Sequence, residues 1–231
     1  MTNYFQNKNI VITGGSSGLG KALAIQLLAA GAHVAIIARG EQALQAMKQE
    51  YPDLHIFQAD VSSKTAIHPL AGAIHSQLGD VDILFNVAST LGPTPLRYLV
   101  DTECEDLEHV LQTNLIGPFR LSKALLPGML LKQAGLVVNI SSDAAVSAYP
   151  GWGAYSASKA ALDHLSRIFD EELKDQGVRF LAVDPGDMDT PMHRAALPDA
   201  DSSQLRDPAD SARNLIQLIA DQDFSLVRRS L

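Results

Sequence analysis

The stretch NIVITGGSSGLGKALAIQLLAAGAHVAIIARG, residues 9–40, runs from a short aliphatic segment through a glycine-rich turn and an amphipathic segment into a second short aliphatic one. It reads as strand 9–13, helix 19–30 and strand 33–38, because β-branched runs of five or six residues suit buried strands and the longer periodic segment suits a helix. The same alternation continues to the far end of the chain. LHIFQA (54–59), VDILF (81–85), LVVNI (136–140) and VRFLAV (178–183) read as further strands, with helices expected over 41–50, 64–78, 103–132, 152–175 and 208–220. Strands that are apolar on both faces need cover on both faces, which alternating helices supply. The expected fold is therefore α/β, a Rossmann-type doubly wound parallel β-sheet. No repeat or Pro/Gly/Ser linker divides residues 1–231, so one domain is expected. The least regular interior part is the loop of about 190–207, at the carboxyl end of a strand, which is the edge where open parallel sheets bind ligands.

Composition narrows the function classes. Of the 231 residues, 46% are hydrophobic and 19% charged, which suits a globular chain. A formal charge of −8 argues against nucleic acid as partner, since phosphates call for clustered Lys and Arg. One cysteine, Cys104, excludes an internal disulfide, and scattered histidines give no metal-ligand spacing, so no metal is expected. MTNYFQNKNIVITGG lacks the pattern of a secretory leader and no apolar run approaches a membrane span, which makes a reducing cytoplasm the expected setting.

In TGGSSGLG, residues 13–20, Gly14, Gly18 and Gly20 let the backbone turn tightly and approach a pyrophosphate, and the helix opening there aims free N–H groups at it. A strand-to-helix turn of any kind can use glycine, so the cluster by itself is nearly as well read as an ordinary turn. The second strand ends in IIARG. Ala38 offers no carboxylate for a ribose 2′-hydroxyl, whereas the Arg39 guanidinium suits a 2′-phosphate, which favours NADP over NAD; the plain alternative is a solvated arginine at a strand end.

GAYSASKAAL, residues 153–162, places Tyr155 and Lys159 four apart on one helix face. A phenol near pKa 10 is a feeble acid or base at neutrality, and a neighbouring ammonium lowers it toward the working range. On spacing alone the pair is equally a polar stripe. Ser141 and Ser142 stand at a strand end where a hydroxyl can donate to a carbonyl oxygen, or merely cap a turn. Asn114 in LQTNLIGPF has a side chain able to bind water or backbone, or is an ordinary interior Asn.

Taken in order, TGGSSGLG, ADV, NVAS, NLIGPF, NISS, YSASK and DPGDMDTPM resemble the classical short-chain dehydrogenase/reductase family over nearly the whole chain, to about Ala220. The resemblance implies hydride transfer between NADPH and a carbonyl or alcohol substrate. Tyr155 would be the acid/base, Lys159 its pKa tuner and a ribose ligand, Ser142 the polarising hydroxyl, and Asn114 the holder of a proton-relay water. It implies a cofactor site of Gly14, Ser16, Ser17, Gly18, Leu19, Gly20, Arg39, Asp60, Val61, Asn86, Ala88, Tyr155, Lys159, Pro185, Gly186 and Thr190. Leu91, Pro93, Val146, Trp152 and Met192 are placed to line a mostly apolar substrate pocket, with His193 a wall or surface residue.

Three features depart from the family pattern. NVAS replaces the usual NNAG, so that Val87 and Ser89 stand where an amide and a glycine are common. The loop after Thr190 is short, which implies a modest lid. Residues 222–231, DQDFSLVRRSL from 221, are atypical, with SLV (225–227) the expected remnant of a last strand. A homodimer through the long helices is expected, a tetramer less so. The competing reading is an NADPH-binding sensor without turnover.

Overall fold

The computed structural model describes residues 4–231; residues 1–3, the start of the segment read as lacking a leader, lie outside it. Seven strands form one parallel sheet: β1 (Asn9–Thr13), β2 (His33–Ala38), β3 (His55–Gln58), β4 (Ile83–Asn86), β5 (Gly135–Ile140), β6 (Val178–Asp184) and β7 (Arg228–Ser230). Their order is β3-β2-β1-β4-β5-β6-β7. The chain winds outward from β1 in one direction through β3 and returns to β4 on the other side, so a crevice opens between the carboxyl ends of β1 and β4.

Eight α-helices connect and cover the strands: α1 (Gly18–Ala29), α2 (Glu41–Glu50), α3 (Lys64–Leu78), α4 (Cys104–Leu111), α5 (Gly117–Lys132), α6 (Gly153–Leu173), α7 (Pro191–Ala196) and α8 (Pro208–Ala220). Side chains alternate across each strand. Ile10, Ile12, Ile36 and Phe85 pack under α1 and α8, with Leu23, Leu27, Leu215 and Ile219. Val11, Ile37, Leu84 and Phe180 pack on the opposite face under α3 and α5, with Ile74, Leu121 and Met129. This double cover is why the strands read as continuous apolar runs rather than alternating ones.

Three expectations are amended. The helix expected over 103–132 is continuous but widens to a π turn at Gln112–Ile116, in the middle of which stands Asn114. The loop 190–207 holds α7, capped by Thr190 with Pro191 at its first turn, and its two ends are drawn together where Met188 pairs with Arg206. Thr followed by Pro is a helix-start signal that the sequence carried.

The third amendment concerns the last strand, which is Arg228–Ser230 rather than Ser225–Val227 and is in register with Ala182–Asp184. Ser225 gives both its amide and its hydroxyl to Asp223, so the chain turns there instead of extending. The arginines then reach acidic partners, Arg228 on Asp163 and Arg229 on Asp223.

Phe180 is fully buried in β6 and stacks on Phe169 of α6 at 4.6 Å between centroids. Phe180→Ala is expected to cost about 3–5 kcal/mol, measured as a lowered urea midpoint at fixed protein concentration.

Candidate active site

The carboxyl edge of the sheet holds a cleft of about 600 Å³. One end begins at Thr13, whose hydroxyl accepts from the amides of Val87 and Ala88 at 3.0 Å each and so ties the ends of β1 and β4 together. Gly14 then takes φ +68°, and a Cβ there would lie 3.0 Å from the Ala88 backbone. A Cβ on Gly20 would collide with the Gly14 carbonyl, 2.8 Å from its carbon. These two glycines are demanded by the close passage of turn and helix.

Ser16, Ser17, Gly18 and Leu19 line the cleft; Gly20 lies behind them. Ser17 caps α1 without a side-chain bond, and its first turn has no acidic residue. The helix therefore presents unsatisfied N–H groups and positive potential to the cleft.

Beyond the turn, Ala38, Arg39, Asp60 and Val61 form one wall. Arg39 is exposed and makes no ion pair among the described residues. The Asp60 carboxylate accepts from the Ser62 amide and hydroxyl at 2.9 and 2.7 Å. Burial works to raise its pKa, but those bonds and the Arg39 charge outweigh it and hold the group below its ordinary value.

The opposite end gathers Ser142, Tyr155 and Lys159 on the cleft wall. Ser142, just past β5, donates to Asp143 at 3.0 Å and accepts from the Ala144 amide at 3.1 Å. Lys159 is almost wholly buried, gives one proton to the Ile140 carbonyl at 2.7 Å, and stands 5.4 Å from the centre of the Tyr155 ring. Burial brings its pKa down to about 8, opposed by Asp163 one turn along α6.

The expected lowering of the Tyr155 pKa by Lys159 does not prevail in this arrangement. Burial pushes the phenol above its ordinary value; the neighbouring Ser142 hydroxyl acts against this, and the charges of Asp184, Asp143 and Asp187 add to it.

Asn86 and Asn114, both assigned to the site, lie off the cleft wall. Asn86 shares the parity of Leu84 and turns into the core on the α5 and α6 side. There its amide donates to Asn139 at 2.8 Å and to Ser122 at 3.3 Å, so it is no part of the cleft wall. Asn114 is fully buried. Its oxygen accepts from Ser89 and Thr90 at 3.1 and 2.8 Å, and its amide donates to the Thr90 carbonyl and to Ser158 at 2.8 and 3.0 Å. That is the capacity of an amide side chain, so no atom of it is left to hold a water. Ser89, where the family usually has glycine, gains a partner in Asn114.

On the substrate side Leu91, Trp152 and Met192 line the cleft, with Trp152 edge-on to Tyr155 at 5.7 Å. Pro93 lines a separate small cavity behind Leu91, and Val146 is 71% exposed on the surface, so neither borders the main cleft. Pro185, Gly186, Thr190 and His193 complete the far wall. Thr190 accepts from the His193 amide, which fixes the start of α7 over the cleft.

Sequence reasoning missed Asp143, Tyr149, Asp187 and Leu197 as lining residues. The first two pair with each other at 2.7 Å. The adjacency of Asp143 to Ser142 was the available signal.

Residues 8–201 match the family model described as short chain dehydrogenase. The 2-(R)-hydroxypropyl-CoM dehydrogenase of Xanthobacter autotrophicus is 35% identical over 202 residues, covering 85% of this chain and 80% of that protein. A short chain dehydrogenase of Pseudocercospora fijiensis is 37% identical over 194 residues, of whose length the match covers 61%. The crystal structure of a short-chain dehydrogenase from Streptomyces avermitilis superposes with a TM-score of 0.87 at 32% identity, covering 97% of this chain and 88% of that one.

The depressed Lys159 pKa couples to stability. Between about pH 8 and the ordinary lysine value of 10.5 the unfolded chain binds a proton that the folded one does not, so this group makes stability rise with pH across that window, by up to about 3 kcal/mol. Unfolding free energies of wild type and Lys159→Met over pH 7–10.5 should diverge accordingly; parallel curves would refute the assignment.

Proposed function

The chain belongs to the short-chain dehydrogenase family, and on that premise we propose that it is an NADP-dependent oxidoreductase acting on a small carbonyl or alcohol, with Tyr155 as acid/base. The observation that carries the reading is the convergence of Ser142, Tyr155 and Lys159 on the same cleft that the glycine turn and the α1 N-terminus open.

The residues present fit a phosphorylated dinucleotide. Gly14 and Gly20 leave a cradle that a Cβ would fill or distort, and the unsatisfied amides of α1 suit a pyrophosphate. Exposed Arg39 beside Ala38 suits a 2′-phosphate and repels nothing there. Asp60 and Val61 would border the adenine, Ala88 the middle of the cofactor, and Pro185, Gly186 and Thr190 its nicotinamide end.

When bound, NADPH supplies hydride to a carbonyl carbon, or its oxidised form takes hydride from an alcohol. Tyr155 gives the substrate oxygen its proton in reduction and removes it in oxidation. Ser142 turns its hydroxyl from Asp143 to that oxygen and polarises it. With a pKa of about 8, Lys159 is an ammonium at neutrality, and the protons not given to Ile140 are available to a ribose hydroxyl. A cation so close to Tyr155 lowers the cost of the phenolate that burial imposes. Asn114 contributes by holding Thr90 and Ser158, so any relay water near Lys159 would be held by main chain. Leu91, Trp152 and Met192 suit an apolar substrate flank. We also propose a homodimer.

NADPH absorbance followed with ketones, diketones, quinones and β-ketoacyl thioesters is expected to reveal turnover, with Tyr155→Phe slower by about 10²- to 10⁴-fold. Tight NADPH binding without turnover of any of them would favour the sensor instead. Arg39→Asp should weaken NADPH by about tenfold or more relative to NADH, the scale of a lost charge-assisted contact; equal weakening of both would remove the phosphate role.

A further inference from the structure

Tyr155, Lys159 and Asp163 recur at every fourth residue of α6 and so make one stripe along it. Asp163 ends the stripe. It is buried, and one of its oxygens, Oδ1, has no hydrogen-bond partner among the described residues. The other accepts from Arg228 Nε at 2.8 Å.

Arg228 is 19% exposed and reaches further. Its Nη2 donates to the Ser142 carbonyl at 3.1 Å and stands 3.7 Å from the Asp184 carboxylate, while Nη1 donates to the Ser230 hydroxyl at 3.2 Å. One guanidinium thus touches the helix that carries Tyr155 and Lys159, the main chain of Ser142, and the end of β6. Fastening β7 to the sheet would need only one acidic partner, which is how the next residue, Arg229, pairs with Asp223. Residue 228 also lies outside the 8–201 stretch matched by the family model.

We propose that Arg228 is a positioning residue for the hydride-transfer site: it offsets the Asp163 carboxylate behind Lys159 and fixes the backbone of Ser142, so that the ammonium and the hydroxyl keep their places around Tyr155. The kinetic consequence rests on the oxidoreductase reading, whereas the electrostatic one does not. The charged and titratable groups around Lys159 and Tyr155 are Asp163 on their own helix, Asp143 and Tyr149 after β5, Asp184 at the end of β6, Asp187 in the loop beyond it, His193 of α7 across the cleft, Arg97 and Asp106 beside the small cavity that Tyr155 also lines, and Arg228 from β7 through its contacts with Asp163 and Asp184. Arg228 is the cation in that set that pairs with Asp163 and stands by Asp184. Without it, surplus carboxylate charge favours the Lys159 ammonium and opposes the Tyr155 phenolate.

The test titrates isotope-labelled lysine by NMR, with the Lys159 signal assigned through Lys159→Met, in wild type, Arg228→Gln, Asp163→Asn and the double variant. Far-UV circular dichroism and the urea unfolding midpoint serve as fold controls. The Lys159 midpoint is expected to rise by about one pH unit in Arg228→Gln, to fall in Asp163→Asn, and to return toward wild type in the double variant. A folded Arg228→Gln with an unmoved midpoint overturns the proposal. Should that variant not fold, Asp163→Asn decides, since an unmoved midpoint there overturns it equally.

Where wild type turns over a carbonyl, Arg228→Gln should lower kcat about ten- to a hundredfold with the KM for NADPH little changed, the scale of a misplaced reacting group. Arg228→Lys should keep the midpoint and recover part of kcat. Absence of turnover in wild type would sink the oxidoreductase reading and leave the titration to decide on Arg228.

Discussion

All seven strands run parallel, and from that constraint the rest follows. Parallel pairing places every strand's carboxyl end on one edge, and the connections then place the start of each following helix there as well. Where winding reverses, between β1 and β4, no helix crosses the edge, and the cleft is what remains. Thr13 secures this reversal by accepting two amides from the far side of the gap. The glycine turn can approach β4 closely only because Gly14 has no side chain to displace the Ala88 backbone.

The other end of the cleft is governed by the burial of one charged side chain. Lys159 is removed from water with one carbonyl bond as direct compensation, and its pKa falls accordingly. Asp163 draws it toward the charged form, and Asp163 in turn accepts a hydrogen bond from Arg228. Tyr155, half-buried on the cleft wall, has its phenolate disfavoured by that burial together with three nearby carboxylates. The charges that act on Tyr155 and Lys159 therefore come from β6 and the segments after β5 and β6 as well as from α6 itself.

Much of this was legible in the order of residues. Aliphatic runs became strands because a doubly covered sheet leaves no polar face, and the long amphipathic runs became helices for the complementary reason. Tyr155 and Lys159 could be placed on one face from spacing alone. The misreadings have specific physical causes. Asn86 is one residue past a buried phenylalanine, and its parity sent it to the core face, where Ser122 and Asn139 accept it. Asn114 looked available because a sequence does not display how many partners a buried amide has found. Val146 has the chemistry of a pocket wall and the position of a surface residue. The last strand was placed at SLV as the remnant of the family's final strand, whereas Arg228–Ser230 extends, with Arg228 on Asp163 and Arg229 on Asp223.

The sequence by itself determined the sheet, its two-sided cover, the glycine turn and the spacing of Tyr155 and Lys159 on one helix face, since each depends on local periodicity or on residues a few positions apart. Tertiary structure alone decided which polar side chains face the cleft, which are consumed in the core, and which charges act on Lys159 and Tyr155. Those outcomes depend on pairs such as Asn86 with Asn139, Ser142 with Arg228 and Asp163 with Arg228, which lie 53, 86 and 65 residues apart and meet only when the sheet is complete.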